Sequence, residues 1–162
     1  MTLHSIPPVY DKNSRILILG SFPSVKSREE GFFYGHVQNR FWRVISAVFE
    51  EPVPENIEKK KQLLLNCGIA LWDVIGSCDI TGSSDSSIKN VIPNDLSAIL
   101  DACSITAIYT NGKTAEKYYN KYIGNKIGRN SVCLPSTSPA NAAWSLERLI
   151  NEWNIIKTGL QV

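Results

Sequence analysis

Arg15-Ile16-Leu17-Ile18-Leu19-Gly20-Ser21-Phe22-Pro23-Ser24 decides the fold class. An unbroken aliphatic run, Ile16 to Leu19, followed by Gly and Pro reads as a short strand buried on both faces. Strands of that kind belong to parallel sheets covered by helices on either side. The strand spans Arg15–Phe22, and Gly20 to Ser24 closes it as a loop.

Outward from this strand, the chain alternates. Asn39 to Phe49 is helical by spacing, with Trp42, Ile45 and Phe49 on one stripe and Phe41, Val44 and Val48 beside it. A second helix runs from about Pro54 to Asn66, lysines outward, and stops at Gly68. Ile69–Ile75 follows as an apolar strand. Gly76 to Asn94, rich in Ser, Asp and Gly, reads as a functional loop, because structureless loops of that length are uncommon. Asp95–Ala102 carries Leu96, Ile99 and Leu100 at helical spacing, and Ile105–Thr110 is the next strand. Asn111-Gly112 turns the chain into a helix bearing Ala115, Tyr118, Tyr119 and Tyr122. A last strand near Ser131–Leu134 leads through Pro135-Ser136-Thr137-Ser138-Pro139 into a helix that buries Leu146, Leu149, Ile150 and Trp153.

Strands alternating with helices predict one α/β domain over residues 1–162: three layers, α/β/α, around a central four-stranded, mostly parallel sheet with right-handed crossovers. Such sheets bind ligands beyond the carboxyl ends of their strands. The loops Gly20–Ser24, Gly76–Asn94, Asn111-Gly112 and Pro135–Asn141 all follow strands, so they are expected to converge on one edge.

The composition sets bounds. At 162 residues the chain has the size of a single core. No apolar run approaches the roughly 20 residues that span a bilayer, and the first residues lack a secretory pattern. A cytoplasmic monomer with no membrane partner is the expectation. Cys67, Cys78, Cys103 and Cys133 never form a C-x-x-C pair, and there are only two histidines, so free thiols and no metal are expected. The net charge of +2 does not by itself indicate nucleic acid. Local basic clusters (Lys26 with Arg28, Arg40 with Arg43, and Lys113 to Arg129) permit a phosphate-binding rim.

The chain has no phosphate-cradling G-x-x-x-x-G-K-[ST] loop, no G-x-G-x-x-G after its first strand and no G-x-S-x-G elbow. What remains at the predicted sheet edge is polar and mostly uncharged: Ser21, Ser24, Asn39, Asn111, Ser136, Thr137, Ser138 and Asn141, interleaved with Phe32, Phe33 and Tyr34. Aromatics beside small polar loops suit a flat ring system gripped by stacking and hydrogen bonds.

These residues carry a resemblance. Gly20-Ser21-Phe22-Pro23-Ser24 followed by Gly31-Phe32-Phe33-Tyr34-Gly35-His36-Val37-Gln38-Asn39-Arg40-Phe41-Trp42 is similar to the first motif region of the mismatch-specific uracil/thymine glycosylases. Leu134-Pro135-Ser136-Thr137-Ser138-Pro139-Ala140-Asn141 resembles the DNA-inserting second motif of the uracil-DNA glycosylase superfamily, in the wording of its hypoxanthine-DNA (deoxyinosine) glycosylase branch. Gly68-Ile69-Ala70-Leu71-Trp72-Asp73 looks like the strand that ends in the base-reading residue.

The resemblance implies a uracil-DNA glycosylase-like fold and a monofunctional, cofactor-free enzyme of base-excision repair acting on DNA with deaminated bases. The lesion it implies is hypoxanthine, with uracil and xanthine as alternatives. Gly20, Ser21 and Phe22 would line the base pocket, Tyr34 would stack on the flipped base, and Asp73 would face its Watson–Crick edge. Ser136 stands where many relatives place His or Asn. Ser24, Ser138, Pro139, Ala140 and Asn141 would contact DNA, Ala140 at the position of a bulkier wedge. Mismatch-specific relatives have a water-positioning Asn where this chain has Phe22. In the hypoxanthine branch the Asn of the N-R-F-W block takes that role, which the resemblance places at Asn39.

Cleavage of an N-glycosidic bond passes through an oxocarbenium-like state that needs little nucleophilic push, so an amide that positions water suffices. Hypoxanthine and uracil share a ring N–H beside a carbonyl, whereas adenine presents a ring acceptor that would oppose the Asp73 carboxylate. Plainer readings stand beside these. Asn39 suits a helix N-cap, Tyr34 a core aromatic, Asp73 a buried structural hydrogen bond, His36 a solvent-facing residue, and Ser138 to Asn141 a helix start. Asp79 and Asp85 sit in the long loop without an assigned role. Two other function classes fit the pocket: a non-catalytic nucleic-acid-binding module, and a nucleoside hydrolase, which would normally need a carboxylate cluster.

Overall fold

The computed structural model describes residues 1–160. Its centre is a parallel sheet of four strands: β2 (Ile16–Gly20), β3 (Ile69–Asp73), β6 (Ala107–Asn111) and β7 (Val132–Leu134), in the order β3-β2-β6-β7. The aliphatic run forms β2, an interior strand, and all of its residues are buried. Its side chains alternate between two cores. Ile16 and Ile18 face one shared with Phe41, Ile45, Leu64, Leu149 and Trp153. Leu17 and Leu19 face the other, with Ile75, Ile99, Ile108 and Tyr119. Helices α2 (Phe41–Val48), α3 (Ile57–Asn66) and α7 (Leu146–Trp153) cover the first face. Helices α4 (Ser97–Ala102) and α5 (Lys113–Tyr119) cover the second, followed by the short α6 (Asn125–Ile127). The expected three-layer architecture is the observed one.

Helix starts differ from the sequence reading for a common reason: a polar side chain captures a backbone N–H before the helix begins. Asn56 Oδ1 accepts from Lys59 N at 2.9 Å, so α3 starts at Ile57 rather than Pro54. Asn39 Oδ1 accepts from Phe41 N at 2.9 Å, and Arg40 N donates to the Thr137 carbonyl, which delays α2 to Phe41. Asp95 Oδ1 accepts from Ser97 N in the same way ahead of α4.

The larger correction concerns Gly76–Asn94. It is no open loop. The expected strand Ile69–Ile75 is interrupted at Val74, and the chain continues as β4 (Ile75–Asp79), a turn over residues 80–88, and β5 (Lys89–Pro93), antiparallel to β4. The N-terminal segment β1 (Thr2–Leu3) pairs with the free side of β4, completing a second sheet ordered β1-β4-β5. Register shifts between Ile75 and Asp79 mark bulges, and one side of this ribbon is solvated. Both features disguise strands in a polar, glycine-containing sequence. The chain beyond β1 stays close to β3: Val9 and Leu71 exchange two backbone hydrogen bonds of 2.9 Å, and Trp72 Nε1 donates to the Ile6 carbonyl at 3.0 Å.

All four cysteines are free thiols, Cys78 and Cys103 buried and Cys67 and Cys133 half-buried. No helix among the described residues is long and apolar enough to cross a membrane.

Because Leu19 lies fully buried in an interior strand, its loss leaves a cavity that neighbouring strands cannot collapse into. Leu19→Ala is expected to lower unfolding free energy by about 2–5 kcal/mol, measured by urea denaturation.

Candidate active site

The loops after the parallel strands do converge. They line one cleft of about 530 Å³ at the carboxyl edge of the sheet. Gly20 to Ser24 enter from β2, Asp73 from β3, Asn111 from β6, and Ser136 to Ala140 from the loop after β7. The turn between β4 and β5 adds Ser83 to Ser86, and the segment before α2 adds Tyr34, His36 and Asn39. Asn141 is the one predicted site residue that does not line the cleft. Its Nδ2 donates to the Ser136 carbonyl at 3.0 Å and shapes the loop from behind.

Asn39 sits in a chain of hydrogen bonds whose directions are fixed by backbone donors. Thr137 N donates to Asn111 Oδ1 at 3.1 Å, which leaves Asn111 Nδ2 to donate to Thr137 Oγ at 3.0 Å. The Thr137 hydroxyl proton therefore goes to Asn39 Oδ1, 2.9 Å away. That oxygen already accepts from Phe41 N, so both its lone pairs are used. The polar group left over on Asn39 is its amide nitrogen, a donor. Thr137 is completely buried.

Arg40, read in the sequence as part of a basic cluster, braces the same loop. Its guanidinium donates to the carbonyls of Ser138 and Asn141, both at 3.0 Å, and to that of Trp144. Ser136 and Ser138 accept from the backbone N–H two residues on, so the loop is a pair of hydroxyl-stabilised turns. A side chain on Gly112 (φ +94°) would place Cβ 3.0 Å from that of Ser136, which leaves room there for glycine alone.

Gly20 and Asp73 are register partners on adjacent parallel strands. A Cβ on Gly20 would lie 2.4 Å from Asp73 Oδ1 and 2.8 Å from the Tyr34 hydroxyl. The bare backbone of Gly20 thus lets a carboxylate and a phenol close over the strand end. Tyr34 has a left-handed backbone (φ 53°), a conformation that costs roughly 1–3 kcal/mol for a non-glycine residue and clusters at functional sites. Its ring stacks on Phe41 at a centroid distance of 4.2 Å. Among the described residues its buried hydroxyl has no hydrogen-bond partner. Burial, and next the Asp73 carboxylate, push the phenol well above the usual tyrosine range, so it is a neutral hydroxyl.

Asp73 is buried, and His4 reaches it: Nε2 lies 2.8 Å from Asp73 Oδ2. No local pattern points to His4, which is 69 residues away in sequence. Only the pairing of β1 with β4 carries it there. Asn94 Nδ2 donates to the carbonyls of Asp73 and Ile75, at 2.9 and 3.2 Å, and fixes the backbone of the strand break. Phe22 lines the cleft with its ring edge-on to His4 at 5.9 Å. Ser24 caps helix α1 (Val25–Glu30), its Oγ accepting from Ser27 N at 3.1 Å. Asp85, although on an exposed turn, directs its carboxyl into the cleft, where desolvation raises its affinity for a proton and the hydroxyls of Thr114 and Ser21 partly offset this. His36 lies at the mouth, its Nδ1 accepting from Gln38 N at 3.1 Å.

A comparison with protein families matches residues 7–157 to the uracil DNA glycosylase superfamily. The chain belongs to that superfamily. With that it is a DNA glycosylase. It is 35% identical over 158 residues to a hypoxanthine DNA glycosylase of Methanosarcina acetivorans, covering 96% of this chain and 98% of the relative. A hypoxanthine DNA glycosylase of Methanosarcina barkeri is 34% identical over 143 residues, 87% of this chain and 89% of the relative. The solution NMR structure of a uracil DNA glycosylase candidate from Methanosarcina acetivorans superposes with a TM-score of 0.82 at 34% identity, covering 96% of both chains. The fold of the superfamily, expected from the motif resemblance, is thus the fold found.

For this glycosylase, Gly20→Ala is expected to displace Asp73 and Tyr34 together and, because the strand end is buried, to lower unfolding free energy by about 1–3 kcal/mol. A shift of about 1 Å in either should lower single-turnover base excision by about 100-fold. Thermal melts and excision assays on the same preparation check both halves.

Proposed function

We propose that this glycosylase excises hypoxanthine from DNA by hydrolysis, leaving an abasic site. The observation that carries the proposal is the free Oδ1 of Asp73 at the floor of the cleft, beside bare Gly20 and the neutral hydroxyl of Tyr34. Relatives named hypoxanthine DNA glycosylases, aligned over nearly the whole chain, support the same lesion.

A base flipped into the cleft would lie on the face of Tyr34 opposite Phe41. Asp73 Oδ1 would accept its ring N–H. Hypoxanthine has that proton and adenine lacks it, so adenine would leave two acceptors facing each other. Backbone N–H groups of the loop that starts at Gly20 would serve the carbonyl and hold the negative charge that grows on the departing base. Ser24, Ser138, Pro139 and Ala140 would contact the DNA strand. Asn141, which faces the interior of its loop, would act through the shape of that loop.

Asn39 would hold the attacking water through its amide nitrogen, as a donor. It cannot serve as the base, because both lone pairs of Oδ1 are committed. It need not: the C–N bond breaks with its electron pair leaving on the base, and the oxocarbenium-like sugar attracts water strongly. The proton passes to solvent after the C–O bond has formed, when the oxygen is strongly acidic, while the departed base anion takes up a proton from solvent. One lone pair on the water accepts from Asn39 and the other attacks the anomeric carbon.

The test is base release from duplexes carrying a single hypoxanthine, uracil or xanthine. Hypoxanthine release by the parent, reduced by about 100-fold or more in Asn39→Ala, is the expected result. Asp73→Asn should erode discrimination against adenine. Salt-dependent DNA binding with no base release from a folded protein would instead identify a binding module.

A further inference from the structure

Asp73 selects the base through one oxygen, and the structure shows what holds the other. His4 Nε2 lies 2.8 Å from Oδ2, and the two side chains are only 1% and 4% exposed. The imidazole stands among the rings of Phe22, Phe33 and Trp72, at centroid distances of 5.9, 6.2 and 5.9 Å. Its Nδ1 is buried with no partner. Among the described residues the His4 side chain therefore has one polar contact, and that contact is Asp73. The backbone places it there, since His4 N donates to the Gly76 carbonyl at 2.8 Å as β1 runs out along β4.

We propose that His4 is a specificity-determining positioning residue, one that fixes the Asp73 carboxylate as an acceptor so that bases with a ring N–H are chosen over adenine. The inference rests on the reading of Asp73 as the base-selecting group. With Nε2–H donating to Oδ2, the carboxylate cannot rotate, and Oδ1 is left for the base. The charge-assisted bond also draws negative charge away from the base, where charge of the same sign builds as it leaves. Without His4, Oδ2 would face aromatic rings with no donor in reach. A carboxylate in that state turns away, and Oδ1 is no longer held against the ring N–H that distinguishes hypoxanthine from adenine. The site would then lose its preference between them. His4 does not touch DNA, because its side chain is almost fully covered.

The experiment compares His4→Phe, which keeps the ring but has no donor, with His4→Gln, whose amide can reach Oδ2. Single-turnover excision of hypoxanthine and of adenine is measured with each, along with duplex affinity. His4→Phe should lose about 100-fold in hypoxanthine rate and at least about 10-fold in hypoxanthine-over-adenine preference, with duplex affinity within about 2-fold of the parent. His4→Gln should retain both within about 5-fold. If His4→Phe does not fold, His4→Ala with added imidazole replaces it, and recovery of rate and preference is expected. Unchanged rate and preference in a folded His4→Phe, equal losses in the Phe and Gln variants, or no recovery with imidazole would overturn the inference while hypoxanthine excision by the parent stood. Failure of the parent to release hypoxanthine would instead remove the reading of Asp73, and this inference with it.

Discussion

The hydroxyl of Thr137 joins the two halves of the active site. It accepts from Asn111 at the end of β6 and donates to Asn39 ahead of α2, while the backbone carbonyl of the same residue accepts from Arg40. Three separate segments are thereby held in one arrangement by a residue with no exposed surface. Each hydrogen bond has only one possible direction, because backbone N–H groups fix both amides. Networks of this kind are costly to leave half-formed in a buried setting, so the arrangement is all or none. Asn39 is thereby left presenting a donor, and under the proposed function the reaction is one that tolerates a positioned water without a strong base. Glycosidic cleavage through an oxocarbenium-like state is such a reaction.

The second constraint is the use of the small antiparallel sheet. Its strand β4 lends Ile75 and Cys78 to the second core, and the sheet also brings His4 to Asp73 and Ser83 to Ser86 to the rim of the cleft. The parallel sheet supplies the floor of the cleft and most of its loops, and the ribbon beside it supplies the partner of the Asp73 carboxylate. Gly20 links the two: a single missing Cβ lets Asp73 and Tyr34 approach the same point.

Much of this was legible in the sequence. The aliphatic run before Gly20 determines a doubly covered strand, and the strand–helix alternation after it determines the sheet edge where polar loops meet. Asn39, Tyr34, Asp73 and Ser136 follow from motif wording and do line one cleft. What escaped depends on long-range pairing. β4 and β5 carry polar residues and bulges, so no clean alternation marks them, and their segment reads as a loop. His4 has no local signature at all, because its role exists only once β1 has found β4. Thr137 was visible as a polar loop residue, but its place between two amides is a property of the fold. Arg40 read as a surface charge, whereas three carbonyls of the loop after β7 claim it.

A buried hydroxyl orients Asn39, and under the proposed function its amide nitrogen serves the reaction. Thr137→Val, nearly the same size and without the hydroxyl, tests this most directly through single-turnover hypoxanthine excision at saturating enzyme, with Thr137→Ser alongside. A folded Thr137→Val is expected to bind the duplex normally but to excise about 100-fold more slowly, while Thr137→Ser stays within about 5-fold of the parent. Parental excision rates in a folded Thr137→Val would contradict that role.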